Sequence, residues 1–275
     1  MQNNNEITKT LSAHHVSLSY SEGQIINRMQ LAIPAKKLTV ILGPNGCGKS
    51  SLLKMLSRIK HPDEGCILLG EENILKMNSK TLARELALLV QKPELPEGIE
   101  VIELVSRGRY PHQKMWQQWS LDDETAVQEA LFATGLTELI HRPVASLSGG
   151  QQQQVWLAMV LAQKSNILML DEPTSFLDIR AQLLVMNFCL SLRDQGKTLV
   201  MVLHDINQAF RYADNIIMMH EGKIVAEGKP EDLANPDIIH TVYGVNTTII
   251  TDPESQTPMI IPKKDPSIEP LYSFS

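Results

Sequence analysis

Cysteine is scarce in this chain. Its three cysteines, Cys47, Cys66 and Cys189, lie far apart in 275 residues, and their spacing matches no metal-ligand motif. A sparse, odd set of cysteines is typical of reduced thiols in a cytosolic setting. The sequence therefore predicts neither a disulfide framework nor a zinc site built on cysteine.

The chain also lacks a long apolar run and an excess of positive charge. No apolar stretch reaches the ~18 residues that span a bilayer, and the polar start MQNNNEITKT predicts no secretory signal. Any passage through a membrane would have to be formed by another chain. The formal net charge of -6 argues against nucleic acid as the main partner, because a phosphate backbone needs a net-basic face, although a local basic patch stays compatible with it.

The content of hydrophobic residues, in contrast, is high enough for a large buried core. Hydrophobic residues make up 43% of the chain, enough for one large domain or one domain with a subdomain. Short apolar runs alternate with stretches of helical spacing, which predicts an α/β fold with a parallel sheet. We expect strands at 13–20, 30–33, 37–42, 86–90, 167–170 and 198–203, helices at 49–59, 122–134 and 180–194, a mostly helical stretch at 101–163 and a hairpin at 216–225. The Pro-rich tail after Asn246 is expected to form an irregular edge, and residues 1–10 a frayed start.

A glycine-rich motif follows the third apolar run. Residues 43–50 read GPNGCGKS and fit the pattern G-x-x-x-x-G-K-[ST] in full. Glycines let the backbone N–H groups wrap around phosphate oxygens, and the N-terminus of the next helix adds partial positive charge. Lys49 would neutralise the β- and γ-phosphates, and the Ser50 hydroxyl would bind Mg²⁺. The alternative is a Gly-rich turn without function, but a strand before it and a helix after it favour phosphate binding.

Two further motifs are weak alone and stronger beside this one. Asp171 and Glu172 follow the run 167–170 at the carboxyl end of a buried strand, where open α/β sheets bind ligands. Asp171 could hold a Mg²⁺ shell and Glu172 could polarise a water, although a solvated acidic turn reads the same way. Residues 147–151, LSGGQ, precede a helix at 152–163 and form either an anion site or an ordinary helix start.

Together the three motifs resemble the nucleotide-binding subunit of ABC transporters. The order phosphate loop, LSGGQ signature and Asp-Glu pair matches that family, and the resemblance covers about residues 11–250. Tyr20 resembles the aromatic residue that stacks on adenine, Gln91 the Q-loop glutamine and His204 the switch histidine. Residues 175–178 resemble the D-loop, with Ser-Phe in place of the commoner small pair. Read alone, these residues could equally be a core tyrosine, a surface glutamine and a structural histidine.

The resemblance implies roles for individual residues, with ATP and Mg²⁺ as cofactors. The catalytic residues would be Glu172, His204 and Gln91, and the metal would be held by Ser50, Gln91 and Asp171. The nucleotide would be bound by Tyr20, Gly43, Pro44, Asn45, Gly46, Cys47, Gly48, Lys49, Ser50, Ser51, Ser148, Gly149, Gly150, Gln151 and Asp178. One departure is the run 152–154, all glutamine, where the family often carries an arginine or lysine.

The family also implies an architecture and partners. We expect a P-loop NTPase (RecA-like) core with a mainly parallel sheet, an antiparallel β subdomain and an α-helical signature subdomain. A single ATPase domain would span 11–250, with the helical subdomain inserted at about 95–165 and flexible or edge tails at 1–10 and 251–275. The resemblance implies a head-to-tail homodimer, integral membrane permease subunits, an indirect periplasmic or lipoprotein substrate-binding protein and no nucleic acid. The chain would then lie peripherally on the cytoplasmic face of the bacterial inner (cell) membrane.

Four stretches indicate which transporter this is. Residues 103–112 resemble importers of ferric siderophores, haem and vitamin B12, whereas 155–163, 178–179 and 204–214 look closest to ATPases of the enterobactin and ferrichrome type. The alternative is that this region reflects only the packing of a helical subdomain shared by all importers. We expect ferric siderophore import, with haem or vitamin B12 import as the alternative. The surface between the Q-loop and Pro111, including Arg107 and Arg109, is predicted to dock the membrane partner.

Two different protein classes compete with this interpretation. A soluble ABC ATPase of DNA repair or translation would carry long coiled coils or two tandem cassettes, and this chain has neither. A P-loop kinase or GTPase would need another second motif, such as an N-K-x-D guanine reader, which the sequence lacks.

Overall fold

The structure is a computed structural model, and it describes residues 9–21, 23–91, 95–113, 119–175 and 177–264. None of the helices in these ranges is both long and apolar enough to cross a bilayer. Most of the frayed start that we expect at 1–10, and the end of the chain from residue 265, lie outside the described residues.

The described ranges contain twelve strands, numbered here in chain order. They are β1 (Leu11–Tyr20), β2 (Gly23–Ile33), β3 (Leu38–Leu42), β4 (Glu64–Leu69), β5 (Glu72–Asn73), β6 (Leu86–Leu89), β7 (Ile167–Asp171), β8 (Thr198–Val202), β9 (Asn215–His220), β10 (Lys223–Gly228), β11 (Thr247–Thr251) and β12 (Pro258–Pro262).

The same ranges contain nine α-helices. They are α1 (Lys49–Leu56), α2 (Ser79–Glu85), α3 (Val101–Ser106), α4 (Leu121–Ala133), α5 (Gly149–Ala162), α6 (Ile179–Asp194), α7 (Ile206–Tyr212), α8 (Pro230–Leu233) and α9 (Pro236–Tyr243). Short 3₁₀ helices lie at Arg107–His112, Thr137–Leu139 and Val144–Ser146.

The central sheet has, within the described residues, six strands in the order β10-β9-β3-β8-β7-β6. Its strands are parallel except for β10, which returns antiparallel to β9. Every residue of β3, β7 and β8 is buried, as expected for parallel strands covered on both faces. The order of the strands brings the ends of β3, β8 and β7 side by side.

A second, antiparallel sheet has the order β2-β1-β4-β5 among the described strands. Its inward residues share one apolar cluster with α1 and one face of the central sheet, including Leu18, Leu52 and Met169. The fold therefore combines a mainly parallel sheet with an antiparallel sheet, as the sequence predicts.

The helices α3, α4 and α5 pack around a separate apolar cluster that includes Val105, Val127 and Val155. Capping boxes fix where each of these helices begins, at Glu100, Ser120 and Ser148. In such a box the capping side chain and the side chain three residues later satisfy each other's backbone N–H groups. This all-helical layer carries the LSGGQ motif at the start of α5.

The prediction of an irregular edge after Asn246 is wrong for residues 247–262. There β11 and β12 pair in an antiparallel hairpin, and Ile260 is only 2% exposed. The Asn207 side chain binds both backbone groups of Ile260, at 2.7 Å and 3.1 Å, which ties the hairpin to α7. The prolines at both ends of β12 hide the strand pattern in the sequence.

The prediction that Arg109 lies on a docking surface is also wrong. Arg109 is 5% exposed, and its Nε donates to the equally buried carboxylate of Asp123 at 2.8 Å. A second guanidinium nitrogen donates to the carbonyl of Ala162 at 2.8 Å. Arg109 thus joins the 3₁₀ helix Arg107–His112 to α4 and α5, whereas Arg107 is exposed.

The carboxyl of Asp123 has a lowered pKa. Burial alone would raise the pKa of Asp123, but hydrogen bonds from Ser120 and Arg109 and the charge of Arg109 outweigh it. A lowered native pKa means that the carboxylate stabilises the fold above its unfolded pKa of ~3.9, and that this stability is lost as the pH falls through the native pKa.

We predict that Asp123→Asn lowers the free energy of unfolding by about 3 kcal/mol at pH 7, because it leaves the buried Arg109 charge without its counter-ion. Denaturant unfolding would measure this loss. The matched control Asp122→Asn, one exposed residue earlier on α4, should change it by less than about 0.5 kcal/mol. The difference between wild type and Asp123→Asn should shrink below about pH 4; a difference that stays constant to pH 3 would contradict the ion pair.

Candidate functional site

Three loops meet at the carboxyl edge of the central sheet. The phosphate loop, residues 43–50, follows β3; the acidic loop, residues 171–175 and 177–178, begins at the last residue of β7; and His204 follows β8. Because β8 pairs with both β3 and β7, these loops must lie next to one another.

The phosphate loop depends on glycines at particular positions. Gly43 has φ +150°, and a Cβ there would lie 2.2 Å from the carbonyl oxygen of Met219. Gly48, which precedes α1, has φ +101°. The Nζ of Lys49, a residue that is 6% exposed, donates to the carbonyls of Gly43 and Pro44 at 2.8 Å and 2.9 Å. The loop therefore curls around its own lysine at the N-terminus of a helix, a geometry that suits an anion.

Cys47 lies inside the phosphate loop with its thiol turned into the protein. The residue is 4% exposed, and burial raises the pKa of its thiol. Its carbonyl accepts a hydrogen bond from Gly222 N at 3.2 Å. The thiolate is the reactive form of cysteine, and a raised pKa keeps this thiol protonated. Cys47 therefore contributes packing rather than reactivity.

A cavity of about 270 Å³ opens beside the phosphate loop. It is lined by Tyr20, Ile25, Asn45, Gly46, Gly48, Lys49, Ser50, Ser51, Glu172 and His204. Tyr20 is 41% exposed, and Lys60 Nζ lies 5.1 Å from the centre of its ring. The cavity thus joins an exposed aromatic face, which can stack on a base, to a loop that can bind phosphate.

A hydroxyl and a carboxylate face each other between the phosphate loop and the acidic loop. Ser50 Oγ donates to Asp171 Oδ1 at 3.0 Å, and Asp171 is 4% exposed. Burial raises the pKa of Asp171; the Ser50 hydrogen bond lowers it and the charge of Glu172 raises it further. Oxygen ligands of this kind suit Mg²⁺, which typically uses one or two protein oxygens with substrate phosphates. Among the described residues, no group of three or more His, Cys, Asp or Glu could hold a metal alone.

The Glu172 carboxylate is held by three neighbours. His204 Nε2 lies 2.5 Å from Oε1, Ser175 Oγ donates to Oε2 at 3.0 Å, and the Gln91 amide also donates to Oε2. The Glu172 side chain is 9% exposed, and its backbone has φ +53°. A non-glycine residue at positive φ is strained and persists where its surroundings fix it. This poorly hydrated carboxylate at the cavity edge is placed to accept a proton.

The structure does not bring the signature residues into the cavity. Ser148 caps α5 and exchanges two hydrogen bonds with Gln151, at 3.1 Å and 3.3 Å, but none of the residues 148–151 lines the cavity. Asp178 likewise caps α6 and accepts from Ala181 N at 2.8 Å. Gly149 and Gly150 have open space where a Cβ would be or only distant neighbours, so the start of α5 is accessible.

Two glutamines that bind the acidic loop are not among the site residues predicted from the sequence. The Gln153 amide donates to Pro173 O at 3.2 Å, and the Gln182 amide donates to Thr174 O at 3.3 Å and to Leu177 O at 3.2 Å. A glutamine on a helix gives no signal in a single sequence. The only hint is that each glutamine lies about one turn after the start of its helix, and that each helix follows a motif: the signature before α5 and the acidic loop before α6.

Comparison with known proteins agrees with this geometry. The family model described as ABC transporter matches residues 26–175, more than half of the chain. The petrobactin import ATP-binding protein FpuD of Bacillus anthracis is 46% identical over 255 residues, 92% of this chain and 93% of FpuD. The ferric enterobactin transport ATP-binding protein FepC of Escherichia coli (strain K12) is 45% identical over 258 residues, 94% of this chain and 95% of FepC.

A solved structure has the same fold. The dimeric structure of MJ0796, a bacterial ABC transporter cassette, matches with a TM-score of 0.71 and 26% identity, over 80% of this chain and 98% of that one. The family match spans the phosphate loop, the signature at 147–151 and residues 171–175 of the acidic loop. The chain therefore belongs to the ABC transporter family, as an ATP-binding, ATP-hydrolysing subunit.

Proposed function

We propose that this chain hydrolyses ATP to drive the import of ferric siderophores. The observation that carries the proposal is the 45–46% identity, along nearly the full length of both chains, to subunits named for petrobactin and ferric enterobactin. Haem or vitamin B12 import is the alternative within the same subclass. The substrate itself would not touch this chain, so its chemistry is assigned by resemblance.

The phosphate loop would bind the triphosphate of ATP. Lys49 would exchange its two backbone carbonyl partners for phosphate oxygens, and the N–H groups at the start of α1 would point at the same oxygens. Tyr20 would stack on the adenine, because this exposed aromatic residue lines the same cavity as the phosphate loop. The two contacts together would hold both ends of the nucleotide.

Ser50 and Asp171 would hold Mg²⁺ together with Gln91, whose amide donates to Glu172, the residue directly after Asp171. The hydrogen bond between Ser50 and Asp171 at 3.0 Å puts two oxygens within one coordination shell. Bound Mg²⁺ would neutralise charge on the phosphate oxygens. The raised pKa of Asp171 fits a carboxylate that is only fully stabilised beside a cation.

Glu172 would act as the general base for the attacking water. Its neighbours support this role: His204 and Gln91 lie on either side of the carboxylate and would orient the water and the γ-phosphate. Phosphoryl transfer needs positioning and charge neutralisation more than covalent chemistry. Three polar contacts to one carboxylate supply such positioning.

We propose a head-to-tail homodimer that completes each site. The start of α5 is accessible and lies outside the cavity of its own chain, so Ser148 and the backbone amides of Gly149 and Gly150 would be able to cover the γ-phosphate bound by a partner. A second helix N-terminus there would exclude water and stabilise charge. We further propose one ATPase domain at 11–250, in which the helical layer at about 95–165 keeps its own apolar cluster.

The membrane partner would dock on the helical layer, which would place the chain on the cytoplasmic face of the cell membrane. A cavity there is lined by Glu103, Ser106, Arg107, Tyr110, Gln113 and Trp119. Tyr110 is 65% exposed and Trp119 45%, and aromatic residues beside an exposed arginine are typical of protein interfaces. A substrate-binding protein would act on the far side of the permease.

We predict that Glu172→Gln lowers the kcat of ATP hydrolysis by about 100-fold or more, the usual loss on removing a general base. ATP binding should persist, because the phosphate loop is unchanged, and ATP should then trap a dimer detectable by size-exclusion chromatography. Glu71→Gln, at an exposed residue, is the control and should retain activity. Near-normal hydrolysis by Glu172→Gln would remove Glu172 from the role of base.

We predict that Arg107→Glu abolishes transport while the ATPase activity of the isolated chain stays within about twofold, because Arg107 lies on the proposed docking surface and does not line the nucleotide cavity. The measurement is siderophore uptake by the assembled transporter alongside hydrolysis. Lys223→Glu reverses another exposed charge, on β10, and should leave both unchanged. Unimpaired uptake by Arg107→Glu would place the docking site elsewhere.

We predict that cells lacking this chain fail to grow when a ferric siderophore is the only iron source and still grow on haem. Growth on defined iron sources measures this, and complementation with the wild-type chain should restore it while Glu172→Gln should not. Loss of growth on haem with normal use of siderophores would overturn the substrate assignment and leave the ATPase assignment intact.

A further inference from the structure

The acidic loop is held from two sides by glutamine amides. Gln153 on α5 donates to Pro173 O at 3.2 Å. Gln182 on α6 donates to Thr174 O at 3.3 Å and to Leu177 O at 3.2 Å. Pro173 and Thr174 are buried, and a buried carbonyl without a donor costs free energy comparable to a lost hydrogen bond. These amides therefore fix the backbone immediately after Glu172.

Gln182 is itself oriented by α7. The Gln208 amide donates to Gln182 Oε1 at 2.9 Å, which leaves the Gln182 nitrogen facing the acidic loop. Helix α7 begins after Asp205, whose carboxylate accepts from the backbone N–H groups of Asn207 and Gln208 at 2.8 Å and 3.2 Å. Asp205 directly follows His204, the residue that contacts Glu172.

The segment 204–208 contacts the acidic loop at both of its ends, once directly and once through Gln182. At one end of the acidic loop His204 contacts Glu172, and at the other end Gln182, held by Gln208, binds Leu177 O. The same short segment, His204 to Gln208, therefore holds the loop at two places. Glu172 is itself the first of these two places, and its strained φ of +53° is a conformation that needs its surroundings to maintain it.

We infer that Gln153, Gln182 and Gln208, here called the amide clamp, are positioning residues for ATP hydrolysis. None of the three lines the cavity beside the phosphate loop. They act through the backbone of the acidic loop, which orients Glu172 toward the attacking water. The inference rests on the proposed role of Glu172 as the base, and it adds a set of residues that hold the base in place.

The clamp also connects the signature helix α5 to the acidic loop, which belong to two separate sequence motifs. Gln153 lies four residues after Gly149, so it is about 6 Å along the same helix from the signature. Helix α5 therefore contacts the acidic loop of its own chain while its first residues would cover the nucleotide of a partner. Removing the Gln153 amide should therefore impair hydrolysis, although Gln153 itself would contact neither of the two bound nucleotides.

The test uses Gln182→Glu, which keeps the size of the side chain and replaces a donor by a carboxylate that cannot donate to Thr174 O and Leu177 O. We expect kcat of the purified full-length chain to fall by about 10- to 100-fold, the scale of a displaced catalytic group. KM for ATP should stay within about twofold, because Lys49, Ser50 and Tyr20 lie on other elements. Gln153→Glu, on a different helix, should give the same split between kcat and KM.

The matched control is Gln195→Glu, an exposed residue just after the last residue of the same helix α6. It makes the same chemical change about 20 Å from Gln182, and it should leave kcat and KM unchanged. Thermal unfolding of each variant checks that the fold is retained; if Gln182→Glu unfolds, Gln153→Glu decides the result.

Two outcomes would overturn the clamp. One is an unchanged kcat in a folded Gln182→Glu or Gln153→Glu chain, and the other is a rise in KM that accounts for the whole loss of kcat/KM. Glu172→Gln is measured in the same assay. If Glu172→Gln abolishes hydrolysis while the clamp variants are fully active, only the clamp fails; if Glu172→Gln is active, the role of Glu172 as the base fails.

Discussion

The parallel pairing of β8 with β3 and β7 is the constraint on which the site depends. Val40 lies opposite Met201, and Met201 lies opposite Leu170. Parallel strands end at the same edge of a sheet, so the loops after them converge. A shift of one residue in either register would move a loop by about 3.3 Å along the strand. Such a displacement would break the hydrogen bond of 3.0 Å between Ser50 and Asp171. The continuous burial of these strands therefore sets the geometry of the chemistry at their ends.

Polar groups at this edge are paired with protein partners that a nucleotide can replace. Lys49 is bound to two carbonyls of its own loop, and the Asp171 carboxylate accepts from Ser50. A buried charge without a partner would cost several kcal/mol, so these contacts keep the site stable before it binds anything. The atoms in these contacts are of the kinds that bind a nucleotide and its metal: an ammonium nitrogen suits phosphate, and hydroxyl and carboxylate oxygens suit Mg²⁺. Within one chain, nucleotide binding would then require these groups to exchange partners, and the proposed dimer would complete the site from the other side.

The sequence predicts the parts of the site that depend on local pattern. The strand β3 and the loop after it, the run before Asp171 and the start of α5 all have residue types that dictate their conformation. It fails where long-range packing decides: Arg109 looks like a surface charge until Asp123 is seen beside it, and the prolines of β12 conceal a strand whose Ile260 is buried. Gln153 and Gln182 could not be found because a glutamine side chain has no preferred partner until the fold supplies a carbonyl.

Helix α5 links the two halves of the proposed dimer site. Its capping box at Ser148 fixes where the helix starts, and its second turn reaches Pro173 through Gln153. A helix is stiff over one turn, so its first residues and Gln153 move together. Contact of the helix start with a partner's nucleotide would therefore bias the backbone next to Glu172 in the same chain. The signature and the proposed general base would then be coupled through one helix, and the strained φ of Glu172 is a conformation that depends on such surrounding contacts.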